Sequence, residues 1–99
     1  MTLTHMERLI TLLNEHCIPF EVTVQPFFNS LQVWYPNQKN NICDIICHKY
    51  SCGGPQGYLE MMGLLTPEES KEDSVVGWLT SGEVFDRILD HYNTYLRSK

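Results

Sequence analysis

The densest group of reactive side chains is CDIICHKYSCGGPQGYLE, residues 43–60, which holds Cys43, Cys47, Cys52, His48 and the glycines Gly53, Gly54 and Gly57. Those residue types suit a zinc knuckle, a thiol nucleophile, an anion-binding loop or a tight turn after a buried strand. Zinc needs four ligands at about 2.0–2.3 Å from one point. If 42–48 is extended, Cys43 and Cys47 share a face but stand about 13 Å apart, and His48 points to the other face. Buried small hydrophobes are the simpler reading of these cysteines. A thiol nucleophile needs a base within hydrogen-bond reach. Only Cys52 could meet His48, if the loop curls back, and Ser51 has no visible Ser-His-Asp set. The glycine loop SCGGPQG lies between an expected strand and an expected helix, the setting in which loop amides and a helix N-terminus hold an anion. It lacks both nucleotide-loop patterns, G-x-G-x-x-G and G-x-x-x-x-G-K-[ST]. A ligand site here would use His48, Lys49, Tyr50, Ser51, Gly53, Gly54 and Gly57, with Glu60 on a ligand hydroxyl. The alternative is a plain turn filled by Tyr58 or Leu59.

The elements around this stretch follow from periodicity and caps. Thr4 and Glu7 form a capping box, and Met6, Leu9, Ile10, Leu13 and Cys17 recur at helical spacing, so 5–16 is expected to be an amphipathic helix. Pro19 stops it. FEVTV (20–24), LQVWY (31–35) and ICDIICH (42–48) read as strands, the third central and buried. Their short connections favour an antiparallel meander. YLEMMGLL reads as a short helix ending near Gly63, and Thr66-Pro-Glu-Glu69 opens another. SVVGWL (74–79) is extended, a possible fourth strand. Thr80 and Glu83 then cap a long helix over 81–96 with Val84, Phe85, Ile88, Leu89, Tyr92 and Leu96 on one face. The expectation is one α+β domain over 1–99, with a sheet of three or four antiparallel strands packed by an N-terminal and a long C-terminal helix. Its core should include Leu9, Leu13, Val22, Val33, Ile45, Phe85, Ile88 and Leu89.

Charge and composition exclude several functions. The chain is 42% hydrophobic and 11% aromatic, with a net charge of -5, so it is not disordered by composition. Residues 57–90 carry a net charge of -6 and residues 1–56 only -1. Without a basic stripe, direct nucleic-acid binding is disfavoured. No apolar run reaches the roughly 18 residues of a membrane span, and MTLTHMERLI does not read as a signal peptide. A cytoplasmic protein with reduced cysteines is therefore expected, with no cofactor and no bound metal. The acidic segment Glu68, Glu69, Glu72 and Asp73 suits a basic partner surface, or is simply a solvated face. Phe27, Phe28, Trp34 and Tyr35 form a candidate contact patch or core cover. Tyr92 and Tyr95 are a candidate homodimer edge. His5, His16 and His91 have no partner spacing and are expected to be exposed.

The string ICDIICH…GYLEMMGLLTPEE…DSVVGWLTSGEVFDRIL, within residues 5–92, resembles small accessory proteins carried by phages and prophages of Gram-positive bacteria. None of its segments is a catalytic signature. The resemblance implies a protein that works in a bacterial host cytoplasm by binding host machinery, defence systems included. Some such proteins cover the nucleic-acid channel of a CRISPR effector, and others sequester a signalling nucleotide. The leading expectation is thus a non-enzymatic interaction protein that antagonises a host protein through an acidic or aromatic surface. A small-ligand or nucleotide sponge using the 48–57 loop is second, and a zinc-binding protein or thiol enzyme third.

Overall fold

The computed structural model describes residues 3–26, 29–51 and 53–97. Phe27, Phe28 and Cys52 of the candidate sites lie outside them. The chain runs α1 (His5–Glu15), β1 (Glu21–Gln25), β2 (Ser30–Tyr35), β3 (Cys43–Ile46), β4 (Leu59–Met62), α2 (Pro67–Glu72), β5 (Val75–Leu79) and α3 (Ser81–His91), which continues as a π-helical turn, Tyr92–Leu96. All five strands form one antiparallel sheet in chain order, β1-β2-β3-β4-β5. The fold is α+β, with β3 in the centre of the sheet.

The helix starts are built as their local sequence dictates. Each α-helix opens on a complete capping box, Thr4 with Glu7, Thr66 with Glu69 and Thr80 with Glu83. In each, the threonine hydroxyl and the glutamate carboxylate satisfy amides that the first turn leaves without partners. Helix α1 buries Met6, Leu9 and Leu13, and α3 buries Val84, Phe85 and Ile88. These pack with Val33, Tyr35, Cys43, Ile45, Leu59, Met61 and Leu79 in one core. Truncating a fully buried leucine such as Leu9 or Leu13 to alanine costs about 2–5 kcal/mol in sites of this kind.

Two of the histidines expected to be exposed join elements instead. His5 Nδ1 accepts the Ser81 amide at 3.1 Å, tying the start of α1 to that of α3. His91 Nδ1 lies 2.8 Å from the hydroxyl of the fully buried Tyr35.

The sheet is wider than expected. Residues 59–62 form β4, not a helix: Leu59 and Met61 are buried while Glu60 is half-buried and Met62 exposed. That is the period of a half-covered strand. Leucine, methionine and glutamate favour helix, but pairing on both sides with β3 and β5 overrides so weak a preference. The strand ends at Gly63, φ 97°, and Leu64, φ 54°. A Cβ at Gly63 would stand 2.3 Å from the Ile42 carbonyl oxygen, so only glycine fits there.

SVVGWL becomes the fifth strand, an edge. Leu59 faces Leu79 while Met61 faces Val76, so β5 carries one extra residue at Gly77–Trp78. This is a bulge, and Trp78 sits in it at φ 60° with its ring exposed. Val22 is 40% exposed rather than buried, because β1 is the opposite edge and lies beyond the helices' cover. Leu89 packs only partly into the core.

Candidate functional site

The 48–57 loop is held by its own backbone. The Ser51 hydroxyl donates to the His48 carbonyl and accepts the His48 amide, both at 2.9 Å. The Tyr50 amide donates to His48 Nδ1 at 3.0 Å, which leaves the neutral ring's proton on Nε2. The amides of Ser51, Gly54 and Gly57 donate to the carbonyls of His48, Ser51 and Gly54. Those of Gln56 and Tyr58 both donate to Gly53. Gly53 and Gly57 take φ of 83° and 88°. A Cβ on Gly54 would stand 1.8 Å from the His48 carbonyl oxygen and 2.2 Å from Ser51 Oγ. These amides have partners within the loop, and the loop feeds strand β4 rather than a helix. No helix N-terminus therefore backs it, only a three-residue 3-10 turn, Gly54–Gln56. Lys49 Nζ lies 5.1 Å from the Tyr50 ring centre. Glu60 belongs to the sheet, beyond the turn.

The thiols differ by burial. Cys43 is buried and its thiol is pushed up to about 12, first by burial and then by the charge of Asp44. Cys47, just past β3, is half-buried and likewise raised by burial, with its sulfur 3.9 Å from the Gly54 carbonyl oxygen. Cys17 is exposed. A raised thiol is a poor nucleophile and a poor metal ligand at neutral pH. Among the described residues, no three His, Cys, Asp or Glu side chains converge as a metal site would require.

The acidic segment lies on and just after α2. Glu69 is already engaged: its two oxygens pair with the Arg87 guanidinium at 2.8 and 2.9 Å, and it closes the capping box with Thr66. The Asp73 carboxylate accepts the Ser74 amide at 2.6 Å. Glu68 and Glu72 are exposed.

The aromatic pair Trp34–Tyr35 is split between the two faces of β2. Tyr35 enters the core, and its hydroxyl is pushed up to about 12, chiefly by burial. Trp34 points to the face that the core helices leave open. Register gives the composition of that face. One cross-strand row runs Glu21, Trp34, Asp44, Met62, Val75, and the next runs Thr23, Gln32, Ile46, Glu60. Trp34 Nε1 donates to Thr23 Oγ1 at 2.8 Å, which fixes the indole. Gln32 Nε2 donates to Asp44 Oδ2 at 2.9 Å. The Asp44 carboxyl is raised, first by burial, with Glu60's charge adding to it and the Gln32 bond opposing it. Neither row contains lysine, arginine or histidine. The sequence had offered Trp34 as a contact residue. Its companions Gln32, Asp44 and Glu60 come from three strands, and only the register reveals them as neighbours.

Comparison with protein-family models, with curated proteins and with solved structures finds no significant match to this chain.

Proposed function

We propose that this is a non-enzymatic interaction protein whose open sheet face takes a basic segment of a partner protein. The supporting observation is the composition of its two cross-strand rows: Glu21, Asp44 and Glu60 around a fixed indole and the apolar Ile46 and Met62. An arginine or lysine from a partner would pair with Asp44 and offset the burial and the neighbouring charge that raise its carboxyl. It would also stack on Trp34, the best of the aromatic faces for a cation. In the phage setting that the sequence resembles, the partner is a host protein, and covering its basic surface is the antagonism. Glu68 and Glu72 form a second acidic surface on α2. Sequestration of a small anion by the 48–57 loop is the weaker reading, because the amides of His48, Tyr50, Ser51, Gly54, Gln56 and Gly57 donate to acceptors within the loop.

The test is a titration of the isotope-labelled protein with a peptide of alternating arginine and leucine, read by amide chemical shifts at low and high salt. Shifts clustered at 32–34, 44–46 and 60–62, lost in Trp34→Ala and weakened by salt, support the proposal. Shifts confined to 68–72 would move the contact to α2, and no shift at low salt would reject the docking surface.

A further inference from the structure

The two edges of the sheet are built differently. β5 is guarded: it carries the bulge at Gly77–Trp78, a residue at positive φ, and α2 against it. Those are features by which native sheets blunt an edge. β1 has none of them. Glu21–Gln25 pairs with β2 without a register break and contains no proline, lysine or arginine. Among the described residues it has no strand neighbour other than β2. Val24 is 57% exposed and Val22 40%, on the side of the sheet where the helix cover has run out.

We propose that the β1 edge pairs with the β1 edge of a second copy, antiparallel about Thr23. The sequence of the strand argues for that occupant. E-V-T-V-Q is self-complementary about its centre: Glu21 falls opposite the partner copy's neutral Gln25, each Val22 opposite a Val24, and Thr23 opposite itself. No like charges meet, and β-branched and threonine pairs are favourable cross-strand neighbours. The valines of both copies then cover one another on the helix side, next to the exposed Leu31 that pairs with Val24. On the other side the two open faces become continuous, with Trp34 from each copy facing the same way. This surface is separate from the Tyr92 and Tyr95 edge and does not depend on the docking reading above.

Sedimentation equilibrium of the full chain over a range of concentrations tests it. A reversible dimer is expected, and Val24→Lys should raise its dissociation constant by about tenfold or more. Residues directly opposed in an antiparallel pair have Cα atoms about 4.5–5.5 Å apart, within disulfide range. Thr23→Cys in a Cys17→Ser background should therefore oxidise to a covalent dimer, and Gln25→Cys should not. The crosslink keeps the test decisive if Val24→Lys fails to fold. A monomer at every concentration with no Thr23→Cys crosslink overturns the proposal. So does a dimer that neither Val24→Lys nor Thr23→Cys affects, since its interface lies elsewhere.

Discussion

Replacing Glu69 by glutamine removes one charge and little else, and it probes the tie between α2 and α3. Glutamine keeps an oxygen that can accept the Thr66 amide, so the capping box survives. What is lost is the two-pronged pairing with Arg87, whose guanidinium also donates to the Leu64 carbonyl at 3.2 Å. The pairing, then the Thr66 bonds, hold the Glu69 carboxyl down at about 2 from its ordinary 4.5. Taken whole, that difference corresponds to about 3 kcal/mol. The two side chains keep 24% and 26% of their surface in water. Solvent screening at such a pair, and the share that belongs to the cap, reduce the expected loss to about 1 kcal/mol. For a domain of this size that is a fall in Tm of about 4–8 °C.

The pH dependence gives the sharper reading. A carboxyl whose folded value is depressed adds stability that is complete above its unfolded value, about 4.5, and lost as pH falls through about 2. Urea unfolding followed by tryptophan fluorescence should show wild type above Glu69→Gln at pH 7. The two should converge as the pH falls from 4.5 towards 2, and 1 M salt should shrink the gap at neutral pH. A gap that is unchanged from pH 6 to pH 2, or absent at pH 7, would refute the ion-pair reasoning. Glu68→Gln, in the same first turn but without the Arg87 pairing, is the control and should show a clearly smaller gap.

Two further predictions follow from space and burial. Gly54→Ala and Gly63→Ala should each cost several kcal/mol in the same unfolding assay, about 3 or more, because their new methyl groups would meet backbone oxygens at 1.8 and 2.3 Å. Gly57→Ala should cost only about 1–2, since φ is 88° there but nothing lies within 4 Å of the added carbon. Equal losses at all three would show that the 48–57 loop and the turn after β4 do not pack as described. Alkylation at neutral pH, mapped by mass spectrometry, should label exposed Cys17 quickly and Cys43 only after denaturation. Fast labelling of Cys43 in the folded protein would mean that the core between β3 and the helices opens readily.

The parts of the fold that were legible in the sequence are those whose signal is local. Each capping box fits within four residues, so the three helix starts could be placed from Thr4, Thr66 and Thr80. The first three strands could be placed from their short β-rich or apolar runs and the turns between them. Val22 fits the alternation of the first but is 40% exposed. Whether helices reach a sheet edge depends on layers that no window of the sequence contains. Residues 59–62 failed for a related reason. Leu-Glu-Met-Met has the composition of a helix, and its strand character comes from partners at 44–46 and 75–79.

That one misreading also concealed the candidate site. With 59–62 taken as a helix, Glu60 is placed on a loop ligand's hydroxyl, and the face beside Trp34 ends at β3. With 59–62 as β4, Glu60 stands across from Ile46 and Met62 across from Asp44, and the acidic, tryptophan-bearing surface extends from β1 to β5. The helices can pack on one side only, so each strand added to the sheet adds open face without adding cover. The same geometry that builds the core from Tyr35, Ile45 and Met61 turns half-buried Trp34 and Ile46 and exposed Met62 to the reverse, because neighbours along a strand point to opposite sides. Core and open face are therefore read from one register, and a one-residue slip in β3 or β4 would exchange the two sets.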